Sequence, residues 1–430
     1  MAIKSTGSNG RACLAIVLSQ AIAWTIACAH DSGPRTDWQQ PAVDRRNPAR
    51  QIAESSPPVA AVDQSTADCS MVQFALAATA PATADCPKRD SGDAAYYSSL
   101  SRDPLVHAGK TWGLRSLGVS PNLLTGPTRA PIVVEVLDSG VDGTHEDFSR
   151  GSVSLVTGDR PTCTGDAGHC WHGTAVAGVI AARPNNQIGG AGVTPSVSIR
   201  SWRITNDEGV ICESRIVAGI KNALANGARV INISASWSHE SAALRSALLL
   251  AKPGVTTPEG ALVVVTSPGY LTHSGDQYPG VYADEDEFDF LVAVAGFGTK
   301  RLLPSPVAGR ACDSPLNSRV KWDSKHPDNG YAPKFFAAAG ESVCTTLPGN
   351  RYGQVLGDSF AAPFVTGLAA VTLLQPQYRA LSASKLRTAL FDGGCDAPAY
   401  LHNLAGGAGI HCVASSRFIE NKNCPVFESR

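Results

Sequence analysis

The sequence predicts an α/β fold with a mostly parallel central sheet and helices on both faces. Residues 131–137, PIVVEVL, form a near-continuous apolar run bounded by turn residues, which is typical of a strand buried on both faces. Apolar segments of this kind alternate with alanine-rich helical segments up to residue 392. Such alternation favours a sheet between two helix layers, and functional groups then gather at the carboxyl ends of the strands.

Residues 1–29 are typical of an export signal. Lys4 and Arg11 precede the apolar stretch 12–29, which is the order of charged and apolar regions in a secretory signal. A membrane anchor is the alternative, but the stretch is short compared with the about 20 apolar residues that a spanning helix needs. We therefore expect an exported protein, either secreted or periplasmic.

Two alternative processing sites are predicted at the end of this signal. Ala27 and Ala29 match the small residues of a signal-peptidase site. Residues 25–28 match a bacterial lipobox loosely, with Thr25 where leucine is usual. Lipidation at Cys28 would anchor the chain to a membrane surface without spanning the membrane, so a free and a lipid-anchored form both stay open.

Composition divides the rest of the chain into three parts. Residues 30–95 are a low-complexity linker or a short pro-segment, rich at first in Pro, Ala, Ser, Asp and Gln. Within this part, Cys69 and Cys86 allow a small disulfide-closed element. The main domain covers residues 96–415, and residues 416–430 form a C-terminal tail.

The cysteine count also favours export. The chain has 12 cysteines, of which Cys13 and Cys28 lie within the signal. The even number that remains is consistent with disulfide bonds in an oxidising compartment. A zinc site is the alternative, which we disfavour because no Cys-x-x-Cys pair occurs. The remaining cysteines are Cys69, Cys86, Cys163, Cys170, Cys212, Cys312, Cys344, Cys395, Cys412 and Cys424.

Length and charge limit the function classes. A chain of 430 residues can hold one large domain and a small one. Its formal net charge is −1 and 17% of its residues are charged, so no basic field indicates a nucleic-acid partner.

Three short motifs carry the candidate chemistry. Asp138 follows an apolar run in VVEVLDSG, His172 begins HGTAVAGVIAA, and Ser359 lies within GDSFAAPFVTG. A serine hydroxyl is a weak nucleophile until a base takes its proton, and the base needs a carboxylate to fix its tautomer. Alone, such an aspartate is usually a turn cap and such a serine a helix N-cap. A carboxylate, an imidazole and a hydroxyl within one domain's length supply the three groups that a nucleophilic hydrolase needs.

Together these motifs resemble the subtilisin-like (S8) serine proteases, whose triad follows the same chain order. The resemblance covers about residues 100–415. It implies a three-layer subtilisin-like fold, a peptidase domain over residues 96–415, and a serine endopeptidase that forms an acyl-enzyme. Asp138 would orient His172, and His172 would take the proton of Ser359. We therefore expect one imidazole nitrogen to lie within hydrogen-bond reach of the serine and the other to bind the aspartate.

The resemblance extends to the segments that would bind substrate. ARVINISAS, residues 228–236, is similar to the family's substrate-binding strand, which implies that Ser234, Ala235 and Ser236 line a docked peptide. The peptide would add as a strand beside this segment and face the region 202–209 on its other side. The implied partner is a protein or peptide substrate.

The nucleophile region predicts a helix that begins at Ser359, whose backbone N–H would be one oxyanion donor. Three positions depart from the family pattern: Asp358 stands where threonine is usual, Tyr270 where the oxyanion asparagine is usual, and Ser236 where glycine is usual. Losing one oxyanion donor typically costs about 10²–10³ in rate. A carboxylate at position 358 would further oppose the developing negative charge unless it is protonated or turned away.

These departures keep other functions open. A catalytically weak or inactive subtilisin-fold peptide-binding protein would keep the groove without a working oxyanion hole, and an esterase needs the same groups. No organic cofactor is implied. The acidic run 283–290, ADEDEFDF, admits a structural calcium site, although its spacing favours a solvated insertion. His145 is expected to be structural, because it matches the family's second, non-catalytic histidine.

Overall fold

The computed structural model describes most of the main domain. All of the described residues lie within one compact unit of the chain, Arg46–Arg430. The predicted signal and linker, Cys28, Tyr270 and the C-terminal tail lie outside the described residues. The described residues are 100–117, 119, 131–148, 153–155, 170–194, 196–206, 209–237, 239–266, 278–297, 335–340, 343–393, 395–396 and 410–412.

A mostly parallel sheet forms the centre of this unit. The strands are β1 (Ile132–Asp138), β2 (Val153–Leu155), β3 (Val197–Arg203), β4 (Val230–Ile233), β5 (Leu262–Thr266), β6 (Leu291–Phe297), β7 (Phe335–Ala339), β8 (Val343–Leu347), β9 (Arg351–Val355), β10 (Cys395–Asp396) and β11 (Ile410–Cys412). Nine of them pair in the order β10-β11-β7-β6-β5-β4-β1-β3-β2. All neighbours in this sheet are parallel except β10 with β11. β8 and β9 form a separate antiparallel hairpin.

Helices pack against this sheet and complete the predicted three-layer α/β fold. They are α1 (Pro104–His107), α2 (Trp112–Ser116), α3 (His172–Ala181), α4 (Glu213–Ala225), α5 (Ala242–Leu249), α6 (Ala362–Leu374) and α7 (Ala383–Gly393). α6 is buried along its whole length and packs against α3 and against β1, β4, β5, β6 and β7. Within the described residues, no helix combines the length and apolarity that crossing a bilayer requires.

The strand predicted from residues 131–137 is confirmed as β1. Its side chains from Val134 to Asp138 are all buried, because β1 lies between β3 and β4 inside the sheet. Burial on both faces explains why the sequence lacks the alternation of a half-exposed strand. The predicted helix at Ser359 needs a correction: Asp358–Phe360 is a 3₁₀ turn, and α6 begins at Ala362.

The segment 267–277 lies outside the described residues, but both of its flanks are fixed. Before it, Thr266 Oγ1 donates to the carbonyl of Ala235 at 3.2 Å. After it, Trp237 N donates to Tyr278 O at 2.8 Å and Tyr278 N donates to Trp237 O at 2.7 Å. Both flanks are therefore tied to the same short stretch that follows β4.

Candidate active site

Asp138 is the last residue of β1 and presents its carboxylate at the carboxyl end of the sheet. Its Oδ1 accepts a hydrogen bond from Ser139 N at 2.7 Å and one from His172 Nδ1 at 2.8 Å. The aspartate is only 3% exposed and the histidine is fully buried. Two hydrogen bonds on one oxygen fix the orientation of the carboxylate toward the imidazole.

His172 is the first residue of α3, and glycines let this helix approach β1 closely. A Cβ at Gly173 would lie 2.2 Å from the carbonyl oxygen of Gly140 and 3.2 Å from Asp138 Cβ. Gly173 N donates to Ser139 Oγ at 3.0 Å. The missing side chain at position 173 thus brings the imidazole within reach of the carboxylate.

Aromatic rings surround the His172 imidazole. Its centroid lies 5.0 Å from that of Phe360 and 5.7 Å from that of Trp171. With Nδ1 bound to the Asp138 carboxylate, Nδ1 carries the proton and Nε2 is a free acceptor. Among the described residues, Nε2 has no hydrogen-bond partner. The ring is therefore held in the orientation that a general base requires.

Ser359 lies in the 3₁₀ turn that precedes α6. Its Oγ donates to the carbonyl of Ser234 at 3.1 Å. The expected hydrogen bond from Ser359 to His172 is not formed within the described part of the chain, because this carbonyl takes the hydroxyl proton. Catalytic hydrogen bonds are often incomplete without substrate. The hydrogen bond between Asp138 and His172 is present, and the Ser359 hydroxyl faces the carbonyl of Ser234.

A buried chain of side-chain hydrogen bonds holds the turn Asp358–Phe360 on β4. Because this turn contains the candidate nucleophile Ser359, it is called the nucleophile turn below. Thr366 Oγ1 donates to Asn232 Oδ1 at 2.8 Å, and Asn232 Nδ2 donates to Ser234 Oγ at 2.9 Å. Ser234 Oγ then donates to the carbonyl of Ser359 at 2.8 Å. Sequence analysis missed Asn232 and Thr366. The available signals were the one polar residue in the apolar strand β4 and one of the two threonines in the apolar helix α6.

The three predicted substrate-binding residues follow the carboxyl end of β4. Ser234 and Ala235 are buried, and Ser236 is half-buried. The hydroxyl and the carbonyl of Ser234 both form hydrogen bonds with Ser359, so the observed contacts of Ser234 position Ser359. The predicted role of all three residues in peptide binding stays a prediction.

His145 has a structural environment. Its Nδ1 accepts from Asp147 N at 3.1 Å, which leaves Nε2 to donate to the carbonyl of Arg351 at 3.1 Å. Burial lowers the pKa of His145. The ring therefore bonds the chain backbone, in agreement with the role predicted for it.

The acidic run 283–290 pairs with an arginine. Arg245 Nη2 lies 2.7 Å from both Glu285 Oε2 and Glu287 Oε2. Across the described ranges, no group of three or more His, Cys, Asp or Glu side chains could hold a metal ion. The calcium prediction stays untested.

Comparisons with known proteins identify relatives of this chain. A family model described as the subtilase family matches residues 130–396. Subtilisin DY from Bacillus licheniformis is 32% identical over 266 residues, covering 61% of this chain and 82% of that protein. Subtilisin E from Bacillus subtilis is 33% identical over 250 residues, covering 58% of this chain and 57% of that protein.

Solved structures show the fold. Fervidolysin from Fervidobacterium pennivorans, described as a keratinolytic enzyme related to subtilisin, matches with a TM-score of 0.57 at 24% identity, over 80% of this chain and 51% of that chain. A structure described as proteases from Pseudoalteromonas arctica matches with a TM-score of 0.53 at 22% identity, over 74% and 98%. These likenesses show that the described sheet and helices have a subtilisin-like arrangement.

Proposed function

Because the chain belongs to the subtilase family of serine peptidases, we propose that it is an exported serine endopeptidase that acts through Asp138, His172 and Ser359. The observation that carries this proposal is the buried contact of 2.8 Å between Asp138 Oδ1 and His172 Nδ1. This contact leaves Nε2 free to take a proton. A carboxylate that fixes an imidazole in this way has the geometry of a base ready to activate a hydroxyl.

The first step requires the Ser359 hydroxyl to exchange the carbonyl of Ser234 for Nε2 of His172. Oγ then attacks the scissile carbonyl carbon while its proton passes to Nε2, and Asp138 stabilises the imidazolium. When the tetrahedral intermediate collapses, the C–N bond breaks and Nε2 gives the proton to the leaving amine. Water, activated by the same nitrogen, hydrolyses the acyl-enzyme and restores Oγ–H.

The oxyanion donors belong to the same proposal. The backbone N–H of Ser359 supplies one donor, and the phenol of Tyr270 supplies the second in place of the usual asparagine. Removing one such donor typically lowers kcat by about 10²–10³. Peptide turnover of Tyr270→Phe, which loses only the phenol hydroxyl, measures this contribution, and unchanged turnover would place Tyr270 outside the oxyanion site.

A covalent probe tests the proposed nucleophile. The mature protein should react with a fluorophosphonate and hydrolyse a peptide, and Ser359→Ala should do neither. Ser246→Ala, on the remote helix α5, is the matched serine control and should behave like the wild type. A wild type that folds but neither labels nor cleaves would support the peptide-binding alternative. Labelling together with ester but not peptide hydrolysis would support the esterase.

Export is the third part of the proposal. Disulfide bonds that include Cys170, Cys212 and Cys344 are part of this proposal, and they would fit an oxidising compartment. The exported protein should begin at a lipidated Cys28 or near His30 and contain few free thiols. Mass spectrometry before and after reduction measures both properties, and intact residues 1–29 together with free thiols throughout would contradict export.

For the acidic run 283–290 we favour a solvated insertion over structural calcium, because Arg245 already pairs with Glu285 and Glu287. Calcium bound by the folded state alone raises the unfolding temperature. Thermal unfolding in EDTA and in excess CaCl₂ tests this, and identical transitions in both would reject a stabilising site.

A further inference from the structure

The carboxylate of Asp358 is engaged by the central sheet. Asp358 immediately precedes Ser359 and is 8% exposed. Its Oδ1 accepts a hydrogen bond from Gly296 N at 2.8 Å. Gly296 belongs to β6, a strand that carries none of the three triad residues. Oδ1 of Asp358 is therefore directed at the backbone of β6.

Glycines create the space for this contact. A Cβ at Gly296 would lie 2.8 Å from Asp358 Oδ1 and 3.1 Å from Gly340 Cα. Gly340 O in turn accepts from Gly357 N at 2.7 Å. Gly357 has φ 143°, a conformation that side chains rarely allow. The backbone around positions 296, 340 and 357 thus packs in direct contact, with the Asp358 carboxylate against it.

A second anchor holds the same turn on another strand. The carbonyl of Ser359 accepts from Ser234 Oγ at 2.8 Å, just beyond the end of β4. β5 lies between β4 and β6 in the sheet. The nucleophile turn is therefore attached to the strands on both sides of β5, through Asp358 on one and Ser359 on the other.

We propose that Asp358 is a positioning residue that fixes the nucleophile turn on β6 and thereby sets the location of Ser359 Oγ relative to His172. The proposal rests on the function proposed above. It assigns a task to one of the three residues that depart from the family pattern. A carboxylate suits this task because a hydrogen bond from N–H to a charged acceptor is shorter and stronger than one to a neutral acceptor.

The length of the side chain distinguishes aspartate from the usual threonine at position 358. The hydroxyl of threonine sits one atom nearer the backbone than the carboxylate oxygens of aspartate, so it falls short of Gly296 N when the backbone stays in place. Restoring the family residue with Asp358→Thr should therefore lower activity. The amide oxygen of Asp358→Asn, by contrast, can occupy the position of Oδ1 and accept the same hydrogen bond.

The experiment compares Asp358→Ala, Asp358→Asn and Asp358→Thr with the wild type, with Ser359→Ala as the inactive reference. Peptide kcat and KM, the fluorophosphonate labelling rate and the unfolding temperature are measured for each. Asp286→Ala, an exposed acid in the run 283–290, is the matched control for loss of a carboxylate. All assays run well below the lowest unfolding temperature.

We expect kcat and the labelling rate of the alanine and threonine variants to fall about 10- to 100-fold, the scale of a small misplacement of reacting groups. KM should change little. The asparagine variant should stay within about threefold of the wild type, because conservative rescue identifies a hydrogen-bonding role. If the alanine variant does not fold, the comparison of kcat between Asp358→Asn and Asp358→Thr tests the proposal.

Two outcomes would overturn the proposal while the wild type is active. One is full activity in both the alanine and the threonine variant. The other is an asparagine variant as slow as alanine, which would mean that the charge itself acts in the chemistry. An inactive, unlabelled wild type would instead reject the function proposed above.

Discussion

The hydroxyl of Ser359, the proposed nucleophile, donates to a neighbouring carbonyl. Residues on β4 and α6 hold the backbone of Ser359 in place. Ser359 donates to the carbonyl of Ser234 and accepts from the hydroxyl of the same residue. Behind Ser234, the hydrogen bonds of Asn232 and Thr366 are fully buried. Buried polar chains of this kind specify one arrangement when every member is satisfied. The Ser359 hydroxyl can therefore reorient while its backbone stays fixed.

Thr366→Val should lower both kcat and stability. Valine keeps the shape of threonine but leaves Asn232 Oδ1 without its donor, and an unsatisfied buried acceptor costs about 1–3 kcal/mol. Asn232 then holds Ser234 less firmly. We expect a lower kcat, an unchanged KM and a lower free energy of unfolding in urea, with recovery in Thr366→Ser.

The control for this prediction lies on the same helix. Thr372 is also fully buried, and its Oγ1 donates to the carbonyl of Leu368 at 2.9 Å, within α6 itself. Thr372→Val removes a hydroxyl without touching β4, so kcat should stay at the wild-type value. Equal loss of kcat in the two variants would show that the chain through Asn232 does not position Ser359.

At the scale of elements, the close approach of α3 to β1 assembles the base and its carboxylate. Gly173→Ala would place a methyl group 2.2 Å from the backbone oxygen of Gly140, and backbone cannot move aside cheaply. Overpacking of this kind costs about 1–3 kcal/mol. We expect a lower unfolding free energy and a large loss of peptide hydrolysis, since α3 must shift and carry His172 away from Asp138.

Gly190→Ala is the matched glycine control. A Cβ there would meet its nearest atom at 3.5 Å, an ordinary contact. This variant should keep its activity. Wild-type activity in Gly173→Ala would show that His172 and Asp138 meet without the close approach.

The order of elements and the triad candidates were predictable because they depend on local pattern and on motif order. β1 followed from an apolar run, and Asp138 from its position at the end of that run. The start of α6 was not predictable, because hydrogen bonds between residues three apart, such as Phe360 N to Gly357 O at 3.0 Å, form the 3₁₀ turn first. Thr366, which donates to Asn232, and Gly296, which donates to Asp358, lie more than 60 positions along the chain from the residues they bind, and no local pattern encodes such contacts.

At the scale of the whole molecule, buried carboxylates connect distant segments of the chain. Asp147 accepts from Asn186 Nδ2 at 2.8 Å and from Gly190 N at 3.0 Å. Asp103 accepts from Gln187 N at 2.8 Å. Both carboxylates are fully buried. The loop 185–190 is thus bound from two sides by carboxylates that water does not reach.

This arrangement predicts a specific pH dependence of stability. Burial raises the pKa of Asp147 to about 7, and the nearby charge of Asp103 adds to the rise. The folded state then binds a proton that the unfolded state releases near pH 4. The unfolding free energy contributed by Asp147 is therefore largest below about pH 4, falls as the pH rises, and levels off above about pH 7.

Asp147→Asn is the reference variant for this measurement, because an amide at position 147 does not titrate. The difference in unfolding free energy between variant and wild type should grow from pH 4.5 to pH 8, by up to about 4 kcal/mol. His145 titrates in both proteins. Burial lowers its pKa, so its own contribution is lost as the pH falls, and the subtraction cancels it. A difference that is flat with pH would show that Asp147 is ionised throughout.

Because both flanks of segment 267–277 are fixed, the sequence between them can change while its two ends keep their attachment points. Thr266 and Tyr278 are both secured to the stretch 235–237, so a new sequence between them starts and ends at the same points. The anchors of Ser359 lie on other residues. Variation in 267–277 can therefore alter the proposed oxyanion donor Tyr270 without displacing Ser359, so the reaction rate can change during evolution while the position of the nucleophile is kept.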